Sequence, residues 1–183
     1  MGRAIEQDPL SASAYQSLGI TLDAADRLAE AEQAYRKALE LAPQRHGALA
    51  FLGLNLLAQG RGDEALAEAL REPESWRFYA LAIIHHAAGH SAKADAALNE
   101  LIAKHAEDAA FQIAVVYATR GEMDLAFEWL ERAYVQRDPG LSDMKVYRLL
   151  RPLRDDPRWR VLLRNMGLAE QESVSLLGQA FVD

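Results

Sequence analysis

The chain contains no cysteine and few β-branched residues. The absence of cysteine excludes a disulfide framework, a zinc–thiolate site, an iron–sulfur cluster and a cysteine nucleophile. Val, Ile and Thr together account for 15 of the 183 residues, whereas Ala and Leu account for 61. Helices favour Ala and Leu and strands favour β-branched side chains, so this composition predicts an all-α protein.

Long apolar runs are also missing from the sequence. No run approaches the roughly 20 residues that a membrane-spanning helix requires, and the first residues lack the apolar core of a signal peptide. We therefore expect a cytoplasmic protein without a membrane partner.

Acidic residues outnumber basic ones by seven, but the excess is unevenly distributed. Residues 1–140 carry a net charge of −8, whereas residues 141–167 carry +4. An acidic body repels a phosphate backbone, so nucleic acid is not an expected partner, with the basic C-terminal stretch as the exception.

The most informative pattern is a repeated spacing of small and large apolar residues. In the strongest copy, which starts at Ala12, the pattern positions hold Tyr15, Leu18, Gly19, Leu22, Ala31, Tyr35, Ala38 and Pro43. The first four would share one face of a helix, the next three would share one face of a second helix, and the proline would end it. This spacing resembles the tetratricopeptide repeat, a helix–turn–helix unit of about 34 residues.

The resemblance implies a right-handed α-solenoid, and three weaker copies follow the first. Within residues 11–140, the expected repeats span 12–45, 46–74, 75–106 and 107–140. Gly60, Gly89 and Gly121 are expected in the turns between paired helices, where a left-handed residue is useful. Residues 1–10 resemble the tail of a preceding repeat, so we expect the chain to be a fragment of a longer protein.

The repeat pattern then stops, and residues 141–183 are predicted to form C-terminal capping helices. Asp156 is the expected N-cap of one helix, Pro157 its first residue and Gly167 its C-cap. The block from 110 to 168 resembles the closing segment of many bacterial tetratricopeptide-repeat proteins, which often carry a nucleotide-cyclase, DNA-binding or kinase-like domain. That resemblance implies an alternative function, as a regulatory or sensory segment of a larger signalling enzyme or transcription regulator.

No pattern in the sequence predicts catalysis. His86 and His90 are four residues apart, but a structural zinc site needs about four ligands, and no others are evident nearby. His85 takes a core position of the third repeat. Ser11 and Ser13 have no histidine near them in sequence, and no glycine-rich phosphate-binding loop is present. We therefore predict no enzymatic activity, no metal site and no cofactor.

The concave groove of the solenoid is the predicted binding site, and its occupant is expected to be a helical or extended segment of a protein partner. The carboxylate clamp of chaperone-binding relatives is not expected, because the matching positions hold no Lys, Arg or Asn. By repeat position, five residues of each first helix line the groove: Ser13, Gln16, Ile20, Asp23 and Ala24 in the first repeat, Gly47, Ala50, Leu54, Leu57 and Ala58 in the second, Trp76, Tyr79, Ile83, His86 and Ala87 in the third, and Asp108, Phe111, Val115, Ala118 and Thr119 in the fourth. The residues predicted to form an exposed binding patch are Leu54, Leu57, Trp76, Tyr79, Ile83, His86, Phe111 and Val115.

The end of the chain offers a second occupant for this groove. Val174, Leu177 and Phe181 would share one helical face that needs a partner. We expect residues 169–183 either to fill the groove, in cis or by exchange in a homodimer, or to cap the last helices over Trp159.

Overall fold

The computed structural model describes residues 10–168, and every regular element within that range is helical. The all-α prediction is therefore confirmed. The α-helices are α1 (Ala12–Ala24), α2 (Leu28–Leu41), α3 (Ala48–Ala58), α4 (Gly62–Arg71), α5 (Glu74–Ala87), α6 (Ser91–His105), α7 (Ala110–Arg120), α8 (Met123–Gln136) and α9 (Pro157–Asn165). Two 3₁₀ helices, Pro139–Asp143 and Arg148–Leu153, lie between α8 and α9.

Successive helices pair, and the pairs stack into a solenoid. α1 packs on α2, α3 on α4, α5 on α6 and α7 on α8, each across a short turn. The first helices of the pairs also contact one another in the order α1, α3, α5, α7. These four helices therefore lie side by side and form one continuous surface, which we call the concave face.

The two helices of the first pair meet at small residues. Gly19 of α1 lies against Tyr35 of α2, and a Cβ atom at position 19 would overlap the tyrosine ring. Ala31 and Ala38, on the buried side of α2, have no exposed surface. The small positions of the repeat pattern thus mark the closest approach of the helices.

One turn position holds a left-handed residue in all four pairs. Gly60, Gly89 and Gly121 have φ angles of 79°, 73° and 77°, as their glycine identity predicted. Asp26 takes the equivalent position in the first pair, with φ of 58°. A residue with a Cβ atom costs about 1 kcal/mol more than glycine in this conformation, so its side chain needs another reason to be there.

Two buried carboxylates close helix ends that would otherwise expose unpaired N–H groups. Glu72, only 1% exposed, accepts hydrogen bonds from the backbone N–H groups of Gly47 (2.9 Å) and Ala50 (3.0 Å) at the start of α3. Asp138 accepts one from the N–H of Phe111 (3.0 Å) at the start of α7. Each carboxylate follows the second helix of its pair, immediately before a proline, and caps the first helix of the same pair.

After α8 the chain turns back over the concave face instead of capping the solenoid. We call residues 139–153 the strap. Pro139 and Pro152 lack the N–H groups that a continuous α-helix needs, and the strap accordingly contains short 3₁₀ helices. The prediction of capping helices from residue 141 was wrong for this segment.

α9 does lie at the end of the solenoid, alongside α8. Asp156 caps it through the N–H of Arg158 (2.9 Å), and Pro157 is its first residue, as predicted. The Arg158 guanidinium pairs with Asp124 at the start of α8 (2.8 Å), while Trp159 is buried. The repeat tail predicted for residues 1–10 lies outside the described residues except for position 10, and the segment 169–183 lies wholly outside them.

Candidate functional site

The structure buries most of the predicted binding patch. Leu57 and Trp76 are half-buried, and His86 is exposed near the end of α5. The expectation of an exposed apolar groove is corrected here, because the strap covers the middle of the concave face. The five patch residues that are buried are Leu54, Tyr79, Ile83, Phe111 and Val115.

Tyr147 anchors the strap at the centre of this face. Its hydroxyl lies 2.8 Å from the hydroxyl of Tyr79. Its ring packs edge-on against Phe111, with centroids 5.4 Å apart, and against Phe51 at 6.3 Å. Burial raises the pKa of both tyrosines above the usual value, so the hydroxyl pair is neutral at physiological pH. A neutral, fully buried pair of this kind holds the strap by packing and one shared hydrogen bond.

Arg151 anchors the far end of the strap on the first repeat. Its guanidinium donates to both carboxylate oxygens of Asp26 (2.9 and 3.0 Å) and to the carbonyl oxygen of Ala24 (2.7 Å). Asp26 is the residue that replaces glycine at the left-handed turn position. Its carboxylate thus provides a contact that glycine lacks, and the strap connects the last repeat to the first.

A second arginine of the strap lies near α1. Arg148 lies close enough to favour the charged form of Asp23, whose carboxylate also accepts hydrogen bonds from Tyr35 Oη (2.9 Å) and Asn55 Nδ2 (2.7 Å). Burial is nevertheless the larger influence and raises the pKa of Asp23. Two arginines of the basic C-terminal stretch, Arg148 and Arg151, therefore lie near acidic residues of the first repeat.

Beside the strap, one part of the concave face stays open as a cleft of about 450 Å³. Each first helix contributes to it: Ile20 from α1, Phe51 from α3, Trp76 from α5 and Gln112 from α7. The rings of Phe51 and Trp76 lie 5.3 Å apart and make its aromatic part. The cleft spans all four repeats and is the open region of the predicted groove.

The ionisable groups of the cleft are mostly acidic. Asp108, Asp143 and Asp138 line it. The Asp138 carboxylate accepts hydrogen bonds from the backbone N–H groups of Phe111 and Gly140. Arg45 is the cation among the described lining residues, and its Nε donates to Gln16 Oε1. Partial burial raises the pKa of Asp143.

Sequence reasoning found only part of this lining. The repeat register correctly placed Gln16, Ile20 and Asp108 on the concave face. It missed Arg45 and Asp143, which lie in a connecting turn and in the strap, where no repeat position applies. It also missed Phe51 and Gln112, which lie on first helices at a position that the register did not assign to the groove.

No metal centre or membrane span is found in the part of the chain that the structure describes. Between residues 10 and 168, no three His, Asp or Glu side chains come together in an arrangement that could hold a metal ion. The rings of His85 and His90 are 5.9 Å apart, and burial lowers the pKa of His85. No helix in this range has both the length and the apolarity needed to cross a bilayer.

Paired helices, stacked in order with small residues at each close approach, define a solenoid of helical repeats. Comparison with protein families matches the tetratricopeptide repeat to residues 12–45 and to residues 79–142. The chain therefore contains tetratricopeptide repeats, which generally act as non-catalytic scaffolds for protein–protein interaction.

Solved structures agree with this fold. A chain of the Cut9–Hcn1 hetero-tetramer of the APC/C is 16% identical with a TM-score of 0.52, covering 91% of this chain and 32% of its own length. TTC0263, a thermophilic TPR protein of Thermus thermophilus, is 22% identical with a TM-score of 0.51, covering 86% and 84%. YrrB, a TPR protein with an unusual peptide-binding site, is 22% identical with a TM-score of 0.48, covering 92% and 84%. At these identities the likeness shows the fold alone, and no curated protein sequence matches the chain.

Proposed function

We propose that the chain is a protein-interaction module that holds a segment of a partner protein in the cleft, without a catalytic step. The observation that carries this proposal is an open cleft lined by all four first helices, with Phe51 and Trp76 side by side within it. Aromatic side chains in concave sites are the usual anchors of protein recognition. The proposed binding site therefore includes only the Trp76 end of the predicted patch.

The dimensions of the cleft favour an extended segment over a helix. An α-helix with side chains is about 10 Å across, so two turns of it fill roughly 800 Å³. The cleft holds about 450 Å³, which suits a few residues of extended chain with one or two inserted side chains. The rest of the concave face, which a longer helix would need, is occupied by the strap.

Binding of a peptide pool tests the proposal. Fluorescein-labelled peptides of about ten residues, degenerate in sequence, are titrated with the protein, and binding is followed by fluorescence anisotropy. We expect Trp76→Ala to weaken binding about tenfold or more, as truncation of an aromatic anchor usually does. Trp129→Ala is the matched control, because Trp129 packs against Arg132 on α8 (4.8 Å) and does not line the cleft.

Two results would contradict the proposal, and a third would contradict the location of the contact. One is a pool that shows no binding to the parent protein. The other is equal binding by the parent and Trp76→Ala, with both proteins melting cooperatively. A loss of binding in Trp129→Ala as large as that in Trp76→Ala would also place the contact outside the cleft.

A second candidate function is the regulatory one implied by the resemblance of residues 110–168 to the closing segment of bacterial signalling proteins. The strap favours it, because a segment that occupies the groove from within competes with any ligand for that surface. Under this alternative, Arg151→Gln loosens the strap, exposes Tyr79 and Phe111, and raises the affinity of the peptide pool. Unchanged or weaker binding by Arg151→Gln would rule it out.

The homodimer formed by exchange of residues 169–183 is a separate proposal that rests on their helical apolar spacing alone. Light scattering after size-exclusion chromatography tests it directly. A monomeric mass for the full chain would exclude the exchange.

A further inference from the structure

The cleft leaves negative charge without an internal partner. Asp143 is exposed, its carboxylate has no hydrogen bond or ion pair among residues 10–168, and partial desolvation raises its pKa. Asp108 is exposed, and the partner near it is the imidazole of His105, at 3.4 Å. Three carboxylates against one guanidinium give the described lining a net charge of −2.

Outside the cleft the chain pairs acidic residues with its own arginines. Asp26 receives Arg151 of the strap, and Asp124 receives Arg158 of α9. Arg154, which directly follows the strap, donates to the backbone carbonyl oxygen of Lys145 instead of a cleft carboxylate. The strap thus carries two arginines, Arg148 and Arg151, and neither lines the cleft.

The aromatic part of the cleft suits the same kind of ligand. A guanidinium or ammonium group is attracted to the face of an aromatic ring, most strongly to that of tryptophan. The chain uses this contact on its outer side, where Arg158 lies 4.3 Å from the centroid of Phe127. In the cleft, Trp76 lines the wall together with the two carboxylates.

We infer that the partner segment held in the cleft carries an arginine or lysine side chain, bound between Trp76 and the carboxylates of Asp108 and Asp143. This inference rests on the proposed function and names the chemistry of its partner. An acidic or phosphorylated segment is disfavoured by the net charge of the cleft and by the −8 of residues 1–140. Arg45 is the opposing charge, but it is tied to α1 by Gln16 and is outnumbered by the carboxylates.

The experiment uses the same peptides, divided by charge. Three pools have identical degenerate flanks, and their central position is fixed as Arg, Gln or Glu. We expect the parent to bind the Arg pool about tenfold more tightly than the Gln pool, and the Glu pool more weakly still. Asp143→Asn and Asp108→Asn should each weaken binding of the Arg pool about fivefold and leave the Gln pool unchanged.

Asp63→Asn is the matched control, because it removes one exposed carboxylate from α4, outside the cleft lining. It should bind the Arg pool within about twofold of the parent, since charges beyond a Debye length are screened. A melting curve for each variant shows that the fold is retained.

The outcomes separate this inference from the function it rests on. If the Arg and Gln pools bind equally and Trp76→Ala abolishes both, the inference of a cationic side chain is wrong, but the proposal of a peptide site in the cleft still holds. A preference for the Arg pool that Asp63→Asn reduces as much as Asp143→Asn would also overturn it, since the preference would then reflect overall charge. Absence of binding by all three pools would overturn both.

Discussion

The hydroxyl pair of Tyr79 and Tyr147 offers a direct test of how the strap is held. Both side chains are buried, and each hydroxyl is the other's hydrogen-bond partner among the residues described, at 2.8 Å. Tyr79→Phe removes one hydroxyl and leaves the other buried without a partner, and Tyr147→Phe does the reverse. An unsatisfied buried hydroxyl costs about 1–3 kcal/mol, whereas removing both partners together is nearly neutral.

A double-mutant cycle gives this argument a magnitude. Each single variant is expected to lose about 1–3 kcal/mol in free energy of unfolding, and the double variant less than about 1 kcal/mol. The two single losses add up to about 2–6 kcal/mol, so the coupling free energy between the two positions is about 1–6 kcal/mol. For a chain of this size, each kcal/mol lowers the melting temperature by roughly 2–4 °C.

The assay is thermal and urea unfolding of the four proteins, followed by circular dichroism. Tyr117→Phe is the control, because Tyr117 is a half-buried tyrosine of α7 that is not in contact with the strap hydroxyls. Zero coupling means that the double variant loses as much free energy of unfolding as the two single variants together. That result would refute the contact between the hydroxyls and with it the docking of the strap on the concave face.

Two further predictions concern the repeats. Asp26→Gly removes the conformational cost of a Cβ-bearing residue at positive φ, which stabilises the fold by about 1 kcal/mol. It also removes the exposed ion pair with Arg151, which destabilises the fold by about 0–1 kcal/mol. Its melting temperature should lie within a few degrees of the parent's and depend less on salt; a loss above about 2 kcal/mol would show that the strap contact dominates. Ala31→Leu places a larger side chain at a fully buried position between paired helices and should cost about 1–3 kcal/mol. An unchanged melting curve for Ala31→Leu would contradict the repeat register.

The fold could be predicted from the sequence because its contacts are periodic. The pattern positions of Gly19, Ala31 and Tyr35 recur at spacings that only paired helices explain, and Gly60 marks a turn whose positive φ favours glycine. Each of these signals depends on neighbours less than one repeat away. The structure therefore follows the expected helices closely.

The strap could not be predicted, because its contacts are neither periodic nor local. Tyr147 meets Phe51 and Tyr79 across most of the solenoid, and nothing in the spacing of these residues indicates the pairing. The prediction of an exposed groove was wrong for the same reason, because the exposure of a residue depends on the segments that pack over it as well as on its own position. One signal was available, namely Asp26 at a position where the other repeats have glycine.

Asp23 provides a prediction about pH, because its environment favours the neutral carboxyl group. Burial raises its pKa above 3.8, even though Asn55, Tyr35 and Arg148 favour the charged form. The folded protein thus binds a proton at this site more readily than the unfolded chain does. The resulting contribution to stability is fully present below the unfolded pKa and is lost as pH rises through the folded pKa. At neutral pH the charged Asp23 therefore works against folding.

Asp23→Asn should remove this penalty and keep the hydrogen bonds. The new amide accepts from Asn55 with its oxygen and donates to Tyr35 Oη, because a tyrosine hydroxyl both donates and accepts. At about pH 7 the variant is expected to equal or exceed the parent in its urea midpoint, and this advantage should shrink as pH falls towards about 4, where the parent becomes protonated. Asp63→Asn, at an exposed carboxylate on α4, is the control and should show no such trend. If Asp23→Asn is instead less stable than the parent at neutral pH and the deficit narrows on acidification, the carboxylate is stabilised by Arg148, and the strap is held by charge at this point as well as by Tyr147.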